Sequence, residues 1–209
     1  MRILVTSGPT AVPIDGMRVL TNRSTGEMGR LIAGACAACG AHVTLIEGQS
    51  VISNLPLDPA VSLKQFFFYD ELASLLDKEL ARGYDVVIHA AAVSDFQLAR
   101  PLKGKISSGN PMTLCLVPTK KLVNRIKKTS PDVILIGFKF EVSIGRSFIL
   151  QRVESLFKDA RCDLVVANCF KAGRYEACLI EPSGMMTLRV STKGKIVKQL
   201  AAWIKKKFL

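Results

Sequence analysis

A segment of twelve residues, Arg18-Val19-Leu20-Thr21-Asn22-Arg23-Ser24-Thr25-Gly26-Glu27-Met28-Gly29, sets two guanidiniums, a carboxamide and three hydroxyls directly ahead of an expected helix. The first turn of a helix carries backbone N–H groups without intrahelical partners, and its dipole favours an anion. Gly26 and Gly29 would let the backbone come close to a phosphate there. Ser24 and Thr25 are also candidates for an ordinary helix cap. Two further residues have types suited to chemistry on a phosphorylated ligand. Asp95 follows Ala90-Ala91-Ala92 at the end of an apolar run, where small residues permit a ligand plane to lie against the backbone. Its carboxylate suits a base, a sugar or Mg²⁺, or a cap on its own loop. Lys105 stands among Gly104, Ser107, Ser108 and Gly109, a setting from which a compact cation can swing onto a triphosphate.

Charge narrows the ligand class. The 209 residues carry a formal net charge of +12, and Arg100 to Lys128 holds eight basic residues with no Asp or Glu. Nucleic acid, an anionic membrane and a polyanionic small molecule would each answer to that excess. Gly104, Gly109, Pro111 and Pro118 break the stretch, so it is not a continuous basic helix for a DNA groove or a membrane surface. It also lacks the aromatics that stack single-stranded bases. A loop closing over phosphates fits better, and no nucleic-acid or membrane partner is expected. Lys205-Lys206-Lys207 reads as a solvated helix end complementing the dipole.

These residues must be positioned by a fold, and the apolar pattern indicates which. Continuous short runs at Arg2 to Ser7, Ala41 to Ile46, Ser62 to Phe67, Asp85 to Ala90, Val133 to Phe138 and Asp163 to Ala167 read as strands buried on both faces. Helical patterns at Met28 to Cys39, Tyr69 to Arg82, Lys120 to Lys128 and Arg146 to Phe157 alternate with them. The expectation is an α/β fold with a doubly wound, mainly parallel sheet of Rossmann-like type, forming one domain over residues 1–209. A hairpin of Tyr175 to Ile180 with Met185 to Val190 and a last helix over Lys193 to Phe208 should follow. Ligands of such sheets lie at the carboxyl ends of the strands, where Gly8-Pro9-Thr10, Ala91 to Phe96, Gly137-Phe138 and Ala167-Asn168 fall.

Familiar alternatives lack their residues. The turn after Ser7 has Gly8 but not GxGxxG, and about twenty residues separate it from the helix; no GK[ST] occurs either. Cys36-Ala37-Ala38-Cys39 has metal-like spacing without a second pair, so the six cysteines read as reduced, mostly buried thiols. His42 and His89, in apolar strands, read as core or near-core imidazoles. No run reaches the ~18 to 20 apolar residues of a membrane span, and the N-terminus does not fit a signal peptide, so a cytoplasmic protein is expected.

Five blocks resemble the phosphopantothenoylcysteine synthetases, the ligase half of the bifunctional coenzyme A flavoprotein family and its stand-alone relatives. They are Thr6 to Thr10 with Pro13-Ile14-Asp15, Arg18 to Gly29, Ala90 to Phe96 with Lys105-Ile106, Gly137-Phe138, and Asp163 to Asn168. The resemblance implies joining of 4′-phosphopantothenate to L-cysteine in two steps. The carboxylate attacks the α-phosphate of CTP or ATP with loss of pyrophosphate, and the cysteine amine then displaces the nucleotide. It assigns Asn22 and Arg18 to the acyl intermediate and Lys105, with Mg²⁺, to the first step. Gly8, Thr10, Ser24, Gly26, Gly29, Ala91, Ala92, Asp95 and Phe138 would frame the nucleotide and its phosphates, with Lys158 a weaker match. The Lys105 loop would meet a second subunit in a homodimer. No flavin is expected, and the product would pass to a separate decarboxylase. The chain departs from the family at Glu27, where Lys or a small residue is usual, and at Thr119-Lys120-Lys121. The rival reading is an NAD(P)-dependent oxidoreductase on the same fold, which would need the missing glycine fingerprint.

Overall fold

The computed structural model describes residues 1–49, 54–100, 102–109 and 111–208. Six parallel strands and one antiparallel strand at a flank form a seven-stranded sheet. In chain order its members are β1 (Arg2–Ser7), β4 (His42–Gly48), β5 (Ser62–Phe66), β6 (Val86–His89), β9 (Ile134–Phe140), β10 (Leu164–Lys171) and β11 (Arg174–Ile180). In space the order is β11-β10-β9-β6-β1-β4-β5, all parallel except β11. The order reverses between β1 and β6, so the crevice of a doubly wound sheet opens beyond Ser7 and His89.

The continuous apolar runs are explained by burial on both faces. Leu4, Ile46, Val87, Leu135 and Val165 point into a core with α2 (Tyr69–Leu80), α3 (Val123–Thr129) and α4 (Arg146–Lys158). Their strand neighbours Ile3, Val5, Leu45, Ile88, Ile136 and Val166 point the other way, against α1 (Glu27–Ala38) and α5 (Lys193–Lys207). Successive side chains of a strand face opposite sides, so both must be apolar when helices cover both.

Two short pairs escaped the sequence pattern. β2 (Ala11–Pro13) pairs with β3 (Val19–Thr21), filling the stretch between β1 and α1. β7 (Phe96–Leu98) pairs with β8 (Leu116–Pro118), forming the arm from which the basic loop extends. Three residues per strand is too short for a periodicity to register.

Other expectations are corrected. The partner of β11 is β10, across a turn where Ala172 and Gly173 have φ of 47° and 74°. The stretch 185–190 runs beside β11 without forming a regular strand, bridged to it at Ile180 to Met186 and at Ala177 to Val190. There the Leu179 N–H donates to the Thr187 hydroxyl rather than to a main-chain carbonyl, which interrupts a regular ladder. The helix expected from Lys120 begins at Val123, because Thr119 is held by the carbonyls of Asp95 and Ser94 at 2.9 and 2.6 Å. The cysteines are mostly buried, as expected, at Cys36, Cys162, Cys169 and Cys178, with Cys39 and Cys115 exposed. His89 is buried, whereas His42, on the first residue of its strand, is exposed. No helix among the described residues is long and apolar enough to cross a membrane.

Candidate functional site

The loops after β1 and β6 are sewn together across the reversal. The Ala92 N–H donates to Gly8 O at 2.9 Å and the Thr10 N–H to Ala92 O at 3.3 Å. Gly8 has φ 78°, a conformation that glycine adopts without steric cost. Thr10 is fully buried; its hydroxyl donates to Ser94 Oγ at 3.0 Å and accepts the Ser94 N–H at 2.9 Å. Of the crevice residues named from sequence, Thr10 therefore faces the loop beside it rather than the open space. Beneath them the Thr6 hydroxyl accepts the Ala91 N–H at 3.3 Å and lies 2.9 Å from His89 Nδ1. Burial holds the His89 pKa down, at about 4, so the ring is a neutral strut at physiological pH.

Ala91 and Ala92 are half-buried at this rim, and Phe138, one residue beyond the partner of His89, is half-buried on the α1 side. The segment Arg18 to Gly29 closes the other wall. Asn22 Nδ2 donates to Ala92 O at 3.0 Å and to Val93 O at 3.3 Å. Thr21 Oγ1 donates to Thr10 O at 3.0 Å. Neither Ser24 nor Thr25 is the cap of α1: the N-cap is Gly26, at φ 70°, with no side-chain cap bond. The helix starts this close to the sheet because Gly29 has no side chain. A Cβ there would lie 2.2 Å from Ser7 Cβ and Oγ, and Ser7 Oγ donates to Gly26 O at 2.8 Å. The departure at Glu27 is answered by Lys193, from the first turn of α5, which pairs with the Glu27 carboxylate.

Arg18 and the Lys105 loop converge on Asp15. Asp15 Oδ2 lies 2.7 Å from Arg18 Nη1 and accepts the Ile106 N–H at 3.0 Å. Both Arg18 Nη groups also approach Ile106 O at 3.3 Å. The backbone N–H groups of Ile106, Met17 and Arg18, with the Arg18 charge, hold the Asp15 carboxyl down at about 2. Lys105 itself is exposed.

Two named residues are placed differently from the expectation. Lys158 lies at the C-terminal end of α4, the end leading into the start of β10, and it pairs with Glu154. A crossover helix runs opposite to its strands, so this end lies at the sheet edge away from the crevice. Asp95 is at the crevice, but its carboxylate is 2.5 Å from Lys121 Nζ. Among the described residues no group of three or more His, Cys, Asp or Glu is placed to hold a metal ion. A lone carboxylate such as Asp95, once released from Lys121, would supply one ligand to a magnesium ion whose remaining ligands are water and phosphate oxygens.

Asp15, Ser7, Ser94 and Lys121 all lie in segments named from the sequence, but none of them carried a role there. The signal for Asp15 was local: an Asp two and three residues ahead of free amides forms an Asx turn, as Oδ1 does with Met17 and Arg18 at 2.8 and 2.7 Å. Ser94 and Lys121 carried no signal, since their partners lie 84 and 26 residues away. The dinucleotide alternative is weakened by geometry. The acid at the end of β4, where such folds bind a ribose, is Glu47, and it is buried against Arg30 at 2.8 Å through both oxygens.

Fold and crevice define a doubly wound α/β protein with its ligand side built from the β1 and β6 loops, the α1 terminus and a basic arm. The chain belongs to the family of the DNA/pantothenate metabolism flavoprotein C-terminal domain, whose model matches residues 1–208. It is 38% identical over 172 residues to the coenzyme A biosynthesis bifunctional protein CoaBC of Thermococcus kodakarensis, covering 82% of this chain and 42% of that one. The chain thus spans less than half the length of this curated relative. Among solved structures it superposes on the DNA/pantothenate metabolism flavoprotein of Streptococcus pneumoniae with a TM-score of 0.87, 27% identity and 99% of both chains covered. A Cab2 variant in complex with phosphopantothenate-cysteine shares the fold at a TM-score of 0.79 and 19% identity, over 98% of this chain and 86% of that one.

Proposed function

We propose that the chain, as one domain over 1–209, is a phosphopantothenate–cysteine ligase that activates 4′-phosphopantothenate with CTP or ATP. The observation that carries this reading is the meeting, at one sheet reversal, of Asn22 on the Ala92 and Val93 carbonyls with Arg18 and the Lys105 loop on Asp15. The family match over residues 1–208 and the product-like ligand of the Cab2 variant support the substrate class.

In the first step the substrate carboxylate attacks the α-phosphate, the bond to the β-phosphate breaks, and pyrophosphate leaves. Lys105 balances the charge that grows there. Gly8, Gly26 and the first free N–H groups of α1 bring backbone close to phosphate, with Ser24 beside them, and Gly29 serves by letting the helix start seat on Ser7. Ala91, Ala92 and Phe138 frame the base, and Asp95 exchanges its Lys121 partner for the nucleotide. In the second step the cysteine nitrogen attacks the acyl carbon, the nucleoside monophosphate leaves, and the amine proton is lost to solvent. Asn22, whose two N–H groups rest on main-chain carbonyls, turns one of them to the developing oxyanion while Arg18 supports it.

The exposed apolar residues Phe96, Leu102, Met112 and Leu116 on the arm suit a homodimer, and the unpaired thiols suit a reducing cytoplasm. Incubation with phosphopantothenate, cysteine and each triphosphate tests the reading by mass spectrometry of the amide product. Absence of product with both, together with tight NADH binding, would replace it by the oxidoreductase alternative.

A further inference from the structure

Asp15 takes no part in either step, yet it stands where the two parts of the site join. Its side chain is fully enclosed, with 0% of it accessible, while that of Arg18 is 43% accessible. Oδ1 is spent on the turn, accepting the Met17 and Arg18 N–H groups. An Asx turn needs nothing more. Oδ2 does something the turn does not require: it accepts from Arg18 Nη1 at 2.7 Å and from Ile106 N at 3.0 Å, 91 residues along the chain. Arg18 completes a ring by approaching Ile106 O. Two backbone bonds flank it, Gly16 N–H to Gly104 O at 2.8 Å and Leu102 N–H to Ile14 O at 3.2 Å. The peptide that Asp15 holds is the one joining Lys105 to Ile106.

We infer that Asp15 is a positioning residue whose single carboxylate fixes both the Arg18 guanidinium and the root of the Lys105 loop, so that the residues of the two steps share one anchor. This rests on the functional reading above. A carboxylate can accept from all four donors, whereas an amide of the same shape cannot. In Asp15→Asn one orientation keeps the turn and sets an NH₂ against the Arg18 and Ile106 donors. The other orientation keeps those two and loses the turn.

Hydrogen exchange by NMR and step-resolved kinetics on Asp15→Asn and Asp15→Glu test it together. Leu102 and Gly16 are the informative amides, because neither is bonded to Asp15. Both should exchange ~10-fold or more faster in Asp15→Asn, as expected for the loss of about one hydrogen bond of restraint, while Leu4 and Val87 in the sheet keep wild-type rates. In the same variant pyrophosphate release and transfer to cysteine should fall together, each ~10-fold or more in kcat/KM, with KM for the triphosphate raised. Asp15→Glu, which keeps the charge, should recover part of both losses. Unchanged exchange at Leu102 and Gly16, acceleration spread through the sheet, or loss confined to one step would overturn the inference. If the wild-type chain releases no pyrophosphate, the ligase reading fails, and the exchange data alone decide whether Asp15 anchors the loop.

Discussion

The carboxamide of Asn22 rests on the main-chain oxygens of Ala92 and Val93, at 3.0 and 3.3 Å, so the segment ahead of α1 is tied by a side chain to the loop at the sheet reversal. Both N–H groups are thereby held at the rim of the crevice by main-chain carbonyls, and one of them has only to exchange a carbonyl for a developing oxyanion beside it.

Asn22→Ala removes that donor and leaves the main-chain oxygens to water at an exposed rim. Transfer of the acyl group to cysteine should fall by ~10²- to 10³-fold, the usual cost of one oxyanion donor. Pyrophosphate release in the first turnover should change by less than ~10-fold. Rapid-quench measurement of both steps decides; equal loss in each would remove the assigned role.

Lys105→Gln should have the opposite profile. The ammonium is exposed, so folding is expected to be unaffected, and the first step should slow by ~10²-fold or more as the charge opposite the phosphates disappears. Chemically prepared acyl-nucleotide, supplied directly, should still be converted with cysteine at near wild-type rate. Slow conversion of that supplied intermediate would contradict the division of labour.

Gly29→Ala sets two effects against each other. Alanine gains ~1 kcal/mol of helix propensity over glycine, but its Cβ would meet Ser7 Cβ and Oγ at 2.2 Å. Overpacking of this kind costs ~1 to 3 kcal/mol, so a net loss in the urea midpoint is expected. Ser7→Gly removes both clashing atoms, and the double variant should recover stability, with a coupling of about 1 kcal/mol or more in the cycle. Additive losses would mean that the helix does not rest on Ser7.

Stability should fall with acid in two windows. His89 stays neutral in the fold, its pKa moved from 6.5 to about 4 by burial. The unfolded chain therefore binds a proton that the folded one refuses, and stability is lost as pH falls from 6.5 towards 4. Asp15 acts lower. Its contribution is whole above 3.8 and is lost as pH falls through about 2. Urea midpoints against pH should lose the upper slope in His89→Gln and the lower one in Asp15→Asn; a wild-type slope retained in either variant refutes that assignment.

How far these features could be read in advance depended on how local their causes are. The parallel sheet was legible because burial on both faces forces continuous runs such as Ile3-Leu4-Val5 and Leu164-Val165-Val166. The Arg18 to Gly29 segment was legible because its residue types crowd together ahead of one helix. Asp15 was visible only as a turn former, because its second oxygen binds Ile106 in a distant loop. Lys158 was named from the family pattern alone; its place just ahead of β10 already put it at the sheet end away from the crevice. The role of Lys121 beside Asp95 depended on the short β7–β8 arm, whose three-residue strands carry no period.

The central claim, activation of a carboxylate by a nucleoside triphosphate, is tested most directly by pyrophosphate release from 4′-phosphopantothenate with CTP and with ATP, each with and without cysteine. With at least one of the two, the account predicts a burst near one pyrophosphate per site without cysteine and continuous turnover when cysteine is added. Release of orthophosphate in place of pyrophosphate, or no release with either triphosphate when cysteine is present, would contradict it.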